Sequence, residues 1–207
     1  MKRVAFATLG CKVNQVETEA LKEEFLERGF TLVPFSAQAD VYIINTCTVT
    51  HISDRKSRAM LRRARRRNPA AVVIAVGCLT RVDDEQLSGM KDVDLVIKDK
   101  EQVPDWVEIM AANSKGQSIP KIVPELSGCS TLKPVVYRQK HNRTRAFIKI
   151  EDGCDAFCTY CIVPYARGPV CSKKAEDVVI EVKNLINLGY REIVLTGIHT
   201  GAYGRDI

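Results

Sequence analysis

The stretch Val41-Tyr42-Ile43-Ile44-Asn45-Thr46-Cys47 is a short, strongly apolar run that ends in a cysteine. Two further runs, at residues 4–9 and 70–76, also end just before a cysteine, with one glycine in between. Each run has the length of a strand and is followed by a segment whose apolar residues recur at helical intervals. These helical segments lie at residues 14–28, 51–67 and 83–90. The alternation predicts a doubly wound α/β domain with a parallel sheet.

The same alternation continues to residue 112, with a fourth strand at residues 95–97 and a helix at residues 102–112. We therefore assign residues 1–112 to an amino-terminal α/β domain. Residues 113–140 lose this periodicity and accumulate proline, glycine and serine, which is typical of a linker. Residues 141–207 contain a strand, a helix and a second strand, which we interpret as one βαβ unit of another domain.

Cys11, Cys47 and Cys78 share one feature, since each lies just past the carboxyl end of a predicted strand. In a parallel sheet these strand ends meet at one edge, where open α/β sheets bind ligands. Three cysteines that are distant in sequence can converge there and form a metal site. The alternative is that they are small apolar core residues, a common role for buried cysteine that requires no ligand.

A second group of cysteines is close in sequence. Cys154, Cys158 and Cys161 form a Cys-x3-Cys-x2-Cys triplet, with Tyr160 directly before the last cysteine. Three thiolates can hold a cubane of four irons and leave one iron open to a small molecule, whereas a structural zinc site needs four ligands in differently spaced pairs. The spacing therefore favours an iron–sulfur cluster. The nearest candidates for a fourth zinc ligand stand at no usual zinc spacing; they are Cys171 and His141.

This triplet resembles the signature of the radical S-adenosylmethionine (SAM) enzymes. The resemblance implies that the three cysteines of the triplet hold a 4Fe-4S cluster whose open iron binds SAM. One electron from a reductant then cleaves SAM to a 5′-deoxyadenosyl radical, so the cofactor carries the difficult chemistry. The resemblance also implies that Tyr160 packs near the SAM adenine, and ordinary loop filling is the alternative for this residue.

The same resemblance assigns a fold to residues 141–207. They are expected to be the first βαβ unit of a radical SAM core, which is a partial TIM-type barrel, and the core would be incomplete. In such enzymes SAM contacts follow the second strand of this unit. Thr196 and Gly197 occupy that position and are candidates to contact SAM, although they can equally form a simple turn.

Three motifs ahead of the triplet narrow the resemblance. They are Thr8-Leu9-Gly10-Cys11-Lys12-Val13-Asn14-Gln15, Asn45-Thr46-Cys47-Thr48-Val49-Thr50 and Gly77-Cys78. With these motifs the chain resembles the methylthiotransferases over essentially all 207 residues. It is most similar to the branch that acts on N6-threonylcarbamoyladenosine, immediately 3′ of the tRNA anticodon. In that family three dispersed cysteines hold an auxiliary 4Fe-4S cluster, which implies this role for Cys11, Cys47 and Cys78.

The resemblance implies a transferase that adds a methylthio group to C2 of N6-threonylcarbamoyladenosine by radical SAM chemistry. Its expected cofactors are two 4Fe-4S clusters and SAM, and its expected partners are a tRNA anticodon stem-loop and a reductant. Three alternatives stay open: action on another tRNA adenosine, action on a ribosomal protein, and a zinc-stabilised RNA-binding protein without catalysis. Relatives continue past the equivalent of Ile207, so we expect an amino-terminal fragment that is inactive alone.

Positive charge is concentrated in the helix predicted at residues 51–67. Residues 55–67 contain eight lysines and arginines and no acid, whereas the net charge of the whole chain is only +6, so the remainder is net acidic. A localised basic face indicates a polyanionic partner, and a solvated charged face is the alternative. The arginines expected to contact RNA phosphates are Arg55, Arg58, Arg62, Arg63, Arg65 and Arg66. A smaller basic cluster consists of Arg138, Lys140, Arg143 and Arg145.

The sequence predicts no membrane segment. Its longest apolar run, at residues 70–76, is far shorter than the roughly 20 residues that a spanning helix needs. The first residues are better explained as a strand than as a secretion signal. Without such a signal, the eight cysteines indicate reduced thiols rather than disulfides, and Cys129 has no close partner. We expect a cytoplasmic monomer.

Overall fold

The computed structural model describes residues 2–112, 119–125, 132–139 and 144–207. In chain order the elements are β1 (Arg3–Thr8), α1 (Lys12–Glu27), β2 (Thr31–Val33), β3 (Val41–Thr46), α2 (His51–Arg67), β4 (Val72–Gly77), α3 (Cys78–Val82), α4 (Asp84–Gly89), β5 (Leu95–Ile97), α5 (Val103–Ala112), β6 (Ile122–Val123), β7 (Arg145–Lys149), β8 (Glu151–Asp152), α6 (Val163–Arg167), β9 (Cys171–Ser172), α7 (Ala175–Asn187) and β10 (Glu192–Thr196). Among the described residues, no helix combines the length and apolar character needed to cross a membrane.

These elements form two compact units. The first contains Met1–Gly10 and Glu24–Leu126, and the second contains Cys11–Glu23 and Ser127–Ile207. Most of α1 therefore packs with the carboxy-terminal residues. The domain boundaries at residues 112 and 140 stay a prediction. Residues 113–118, 126–131 and 140 of the linker predicted between them lie outside the described residues, and so do Cys129, Lys140, His141 and Arg143.

Six parallel strands form the sheet of the first unit, in the order β2-β1-β3-β4-β5-β6. Every residue of β3 and β4 is buried. Central strands of a parallel sheet have this pattern because both of their faces are covered. The parallel α/β fold predicted from the sequence is confirmed. The four predicted strands are β1, β3, β4 and β5, and the sheet extends further through β2 and β6.

Helices cover both faces of this sheet. Successive side chains of a strand point to opposite faces, and Ala5 of β1 joins a core cluster with Leu61 and Ala64 of α2. The next residue of β1, Phe6, packs edge-to-face with Phe25 of α1, with ring centroids 5.6 Å apart. Since neighbouring residues of one strand contact different helices, the doubly wound arrangement is confirmed.

The second unit is built on a βαβ unit, as predicted. β7 and β10 are parallel neighbours, with Ile148 opposite Leu195, and α7 lies between them in the chain. Ile148, Leu185 of α7 and Tyr190 share one core cluster. The short strands β8 and β9 form a separate antiparallel pair. β8 directly follows β7 and leads into the three-cysteine segment, so this small core determines where that segment begins.

A buried ion pair attaches α7 to its surroundings in the second unit. Lys173 Nζ lies 2.8 Å from Glu181 Oε2, and the two side chains are only 2% and 1% exposed. Glu181 also accepts a hydrogen bond from the backbone N–H of Val135. Burial raises the pKa of Glu181 and lowers the pKa of Lys173, so desolvation outweighs their mutual attraction. We infer that the pair orders this region more than it adds stability.

One expectation about the cysteines is wrong. Cys171, buried in β9, is disulfide-bonded. Spacing along the chain cannot reveal such a bond, because a disulfide depends on the separation of the two residues in space. The six cysteines that carry the predicted metal sites are free thiols.

Candidate metal centres and nucleic-acid interface

The segment with the cysteine triplet is fixed at its base by backbone contacts. Gly153 has φ of +80°, and a Cβ there would lie 1.9 Å from the carbonyl oxygen of Pro169, so only glycine fits. The next residue, Cys154, donates its backbone N–H to the carbonyl of Gly168 at 3.0 Å. The N–H of Cys161 donates to the carbonyl of Cys158 at 2.9 Å. These bonds set the path of the backbone on which the three thiols stand.

The thiols themselves have the chemistry of cluster ligands. Cys158 is exposed, Cys154 and Cys161 are partly exposed, and all three are free. The Cys154 Sγ lies 3.7 Å from His199 Nδ1. Three free thiols on one solvent-accessible loop fit the donor set of an iron–sulfur cluster. Among the described residues, no three Cys, His, Asp or Glu side chains form a group that could hold a metal ion, and the role of the triplet as cluster ligands stays a prediction.

The predicted SAM contacts lie at the end of β10 and in the triplet. Tyr160 is 91% exposed, so its ring is available to a ligand. Thr196 is buried, and a Cβ at Gly197 would lie 2.5 Å from Glu151 Oε2. A pocket of about 200 Å³ opens next to the triplet, with Asp155 and His199 in its wall. The contacts of these residues with SAM stay a prediction.

Glu151 was not identified from the sequence. It is fully buried in β8, and its Oε2 accepts the backbone N–H of His199 at 2.7 Å. Burial raises the pKa of its carboxyl group. Its second oxygen, Oε1, has no hydrogen-bond partner among the described residues. The carboxyl group thus holds the turn after Gly197 in place, a role with no signature in the local sequence.

Two of the dispersed cysteines directly follow neighbouring strands of the first unit. Thr46 of β3 and Gly77 of β4 are paired across the sheet, and Cys47 and Cys78 are the residues that follow them. Both cysteines are 4% exposed. The backbone N–H of Cys47 donates to the hydroxyl oxygen of Ser57 in α2 at 3.1 Å. The same hydroxyl donates to the backbone carbonyl of Cys47, also at 3.1 Å. Their predicted position at the carboxyl edge of the sheet is confirmed by this register.

Cys11, the third dispersed cysteine, follows β1 in the chain and belongs to the second unit. It is exposed, and its Sγ lies 3.4 Å from Asn14 Oδ1 in the first turn of α1. The sharing of one cluster by Cys11, Cys47 and Cys78 stays a prediction.

The predicted basic helix is α2, and its arginines fall into two groups. Arg58 is held by Asp54 and Asp83. Arg65 Nη2 lies 2.5 Å from Asp94 Oδ2, so both arginines have partners within the first unit. The exposed cations of the helix are Arg55, Lys56, Arg62, Arg63 and Arg66. The helical repeat aligns Arg55, Arg62 and Arg66 as a stripe, the arrangement that a phosphate backbone can follow.

Comparisons with known proteins agree with this arrangement. Residues 3–98 match the family model described as uncharacterized protein family UPF0004. The threonylcarbamoyladenosine tRNA methylthiotransferase MtaB of Bacillus subtilis is 41% identical over 215 residues, which covers 100% of this chain and 46% of the relative. The enzyme of the same name from Aquifex aeolicus is 41% identical, over 99% of this chain and 50% of the relative. The chain therefore spans about half the length of the curated relatives it matches.

A more distant relative and a solved structure extend the comparison. A tRNA-2-methylthio-N(6)-dimethylallyladenosine synthase of Clostridium novyi is 29% identical over the whole chain. The radical S-adenosylmethionine methyltransferase TsrM of Kitasatospora setae has a TM-score of 0.66 at 15% identity, covering 96% of this chain and 48% of TsrM. That likeness concerns the fold alone. The matches at 41% identity along the chain confirm the resemblance to the methylthiotransferases seen in the sequence.

Proposed function

We propose that this chain is part of a tRNA methylthiotransferase that adds a methylthio group to C2 of N6-threonylcarbamoyladenosine, 3′ of the anticodon, by radical SAM chemistry. The observation that carries the proposal is the 41% identity to threonylcarbamoyladenosine tRNA methylthiotransferases along the entire chain. The free thiols of the triplet and the paired strand ends at Cys47 and Cys78 supply the donors that this chemistry needs.

The two cysteine trios have separate roles in this proposal. Cys154, Cys158 and Cys161 hold a cluster with one iron left for SAM, and Cys11, Cys47 and Cys78 hold the auxiliary cluster. When bound, the first cluster supplies the electron that cleaves SAM and the second presents the sulfur that is transferred. The chain's own contribution is positional: Gly153 and the bond from Cys154 to Gly168 set one loop, and Ser57 sets the backbone of Cys47. Tyr160, Thr196 and Gly197 are the proposed SAM contacts.

The proposed macromolecular partner is the tRNA anticodon stem-loop. The exposed cations of α2 lie within a few turns of one helix, where like charges repel one another, and a phosphate backbone relieves that repulsion. Contacts of this kind position RNA without reading its sequence. We further propose that the protein works as a cytoplasmic monomer that takes its electrons from a separate reductant.

Metal analysis tests the two-cluster assignment. The 207-residue chain is reconstituted anaerobically with iron and sulfide, next to Cys154→Ala/Cys158→Ala/Cys161→Ala and Cys11→Ala/Cys47→Ala/Cys78→Ala variants. Two 4Fe-4S sites predict about eight irons per parent chain and about half of that in each triple variant. Bound zinc in place of iron would refute the radical mechanism. If the variant without Cys11, Cys47 and Cys78 bound as much iron as the parent, the assignment of an auxiliary cluster to these cysteines would be refuted.

Binding of an anticodon stem-loop RNA at several salt concentrations tests the basic surface. Arg62→Gln/Arg63→Gln/Arg66→Gln should weaken binding and make the slope of log K against log salt shallower by roughly two to three, at about 0.7 to 0.9 per phosphate contact. The matched control, Lys91→Gln/Lys183→Gln/Arg191→Gln, removes the same charge from exposed positions outside α2. Equal effects of both variants would mean that only net charge matters and that α2 is no RNA surface.

A further inference from the structure

Arg167, the last residue of α6, is the centre of a buried polar network in the second unit. Its side chain is 5% exposed. Nη1 lies 3.0 Å from Glu17 Oε1 and 2.7 Å from Asp152 Oδ1, and Nη2 lies 2.5 Å from Asn14 Oδ1. One planar guanidinium thus binds three side chains from two different segments through two nitrogens in a rigid fork, a geometry that the single nitrogen of a lysine does not reproduce.

Lys149 of β7 completes the network. Its Nζ lies 3.1 Å from Glu17 Oε1 and 2.9 Å from Asp152 Oδ2. Burial alone would lower the pKa of Lys149, but the attraction of Asp152 and Glu17 is stronger and raises it. The members described here are two cations, Arg167 and Lys149, and two carboxylates, Glu17 and Asp152. Loss of any one of them removes an opposite charge from its buried neighbours.

Two contacts connect this network to cysteines of different trios. Asn14 Oδ1, which accepts a hydrogen bond from Arg167, also accepts one from the Cys11 thiol at 3.4 Å. Asp152 Oδ1 accepts the backbone N–H of Gly153 at 2.9 Å, and Gly153 directly precedes Cys154. The residue after Arg167, Gly168, accepts the N–H of Cys154. Asn14 is thus the single side chain between Arg167 and the Cys11 thiol. Asp152 is likewise the single side chain between Arg167 and the backbone that leads into Cys154.

We propose that Arg167 is a positioning residue that holds the Cys11 turn and the Cys154 loop in one fixed arrangement, and this role deepens the proposed function because these two segments each contribute a cluster ligand. Arg167 acts through Asn14, which accepts from the Cys11 thiol, and through Asp152, which accepts from Gly153. Glu17 and Lys149 support this network. The effect of Arg167 is to make the placement of one cysteine depend on the placement of the other.

Amide hydrogen exchange of the metal-free 207-residue chain, read by mass spectrometry, tests this role without any cluster. Arg167→Lys keeps the positive charge and removes the planar guanidinium group with its two terminal nitrogens. We expect exchange to become roughly ten-fold faster at the start of α1 and at Gly153 and Cys154 together, as one charge-assisted hydrogen bond ceases to oppose local opening. The strands β7 and β10 should keep their protection. Faster exchange at only one of the two segments, or in β7 and β10 as well, would overturn the proposal.

The matched control removes another buried ion pair of the same unit. Lys173→Met/Glu181→Gln eliminates the pair that attaches residue 135 to α7. The charge of Lys149 acts on both members of this pair, and their joint removal leaves the net charge near Lys149 unchanged. The double variant should accelerate exchange in α7 and leave the start of α1 and the Cys154 loop unchanged. If this control produced the same pattern as Arg167→Lys, general destabilisation would explain both variants and the specific role of Arg167 would be refuted.

A second measurement separates this inference from the proposed function. In chains reconstituted with iron, Arg167→Lys should alter the electron paramagnetic resonance spectra of both clusters, recorded singly in the two triple-cysteine backgrounds. A change in only one spectrum would contradict the coupling. If the parent bound no iron, the proposed function would fail, and the exchange experiment would still decide whether Arg167 joins the two segments.

Discussion

Replacing Gly77 with alanine is the sharpest test of the strand edge that carries Cys47 and Cys78. Gly77 ends β4 with φ of +97° and ψ of −166°, a region of backbone space that is essentially restricted to glycine. A Cβ there would lie 2.4 Å from Asn45 Oδ1 and 2.5 Å from the carbonyl oxygen of Thr46. The Thr46 oxygen belongs to the backbone of the neighbouring strand, so it cannot move away without breaking the sheet.

The expected loss follows from two terms. The backbone conformation alone costs about 1–3 kcal/mol for a non-glycine residue. Forcing an extra methyl group into a packed site typically costs about 1–3 kcal/mol more. We therefore expect Gly77→Ala to lower the free energy of unfolding by about 2–6 kcal/mol, a large part of the roughly 5–15 kcal/mol that stabilises an ordinary domain.

Gly29→Ala is the matched control. Gly29 also has a positive φ, +79°, but a Cβ there would meet no atom within 4 Å. This variant carries backbone strain without the steric conflict and should lose only about 1–2 kcal/mol. The difference between the two variants therefore measures the close approach of β3 and β4.

Urea unfolding followed by the fluorescence of Trp106 measures both variants in the same unit, since Trp106 lies in α5. The midpoint should fall much further for Gly77→Ala than for Gly29→Ala, with similar slopes. Equal free energies within about 0.5 kcal/mol would show that the strand ends are not closely packed. The placement of Cys47 and Cys78 directly after neighbouring strands would then lose its structural basis.

Two further predictions concern a buried ion pair and a carboxylate that accepts backbone hydrogen bonds. Glu181→Ala should destabilise the second unit by about 3–5 kcal/mol, because it leaves Lys173 buried without its partner, and adding Lys173→Met should recover most of the loss in urea unfolding. Asp40 accepts the backbone N–H groups of Lys2 and Arg3, which lower the pKa of its carboxyl group. The advantage of the parent over Asp40→Asn should therefore be complete above pH 3.8 and disappear as pH falls through the lowered pKa; an advantage that persisted in stronger acid would contradict this assignment.

The fold of the first unit was predictable because its central strands have an unambiguous composition. β3 and β4 are continuous apolar runs, as expected of strands covered on both faces. The helix predicted at residues 51–67 is α2 with the same bounds. β2 and β6 were missed because they are short edge strands with partly exposed side chains, whereas β5, as short as β2, is an entirely apolar and buried run. Both strands form because β1 and β5 offer them backbone hydrogen-bond partners at the two edges of the sheet.

The helix predicted at residues 83–90 is α4 (Asp84–Gly89), but the sequence did not predict the short helix before it. This helix, α3, begins at Cys78 itself. Gly77, with its positive φ, lets the chain turn directly from β4 into this helix. Periodicity over five residues cannot reveal a helix this short, so the sequence located Cys78 at a strand end and missed that it also begins a helix.

The basic helix was predictable in its charge but not in its ion pairs. Helical periodicity separates the side of α2 that carries Leu61 and Ala64 from the charged side. It cannot tell which arginines meet acids from other elements, and Asp83 and Asp94, which bind Arg58 and Arg65, lie outside the helix. The sequence therefore treats the arginines alike, whereas only some of them are exposed.

The network around Arg167 explains why motifs identify ligands better than they identify mechanism. The cysteines are recognisable because cluster chemistry imposes their type and spacing, which is a local constraint. Arg167 and Glu17 are 150 residues apart in the chain, and neither stands in a spacing that chemistry requires. Their meeting is decided by the packing of the first part of α1 within the second unit. A substitution at Arg167 can thus leave all six ligands in place and still alter how two of them are presented, so an intact cysteine pattern does not guarantee an intact site.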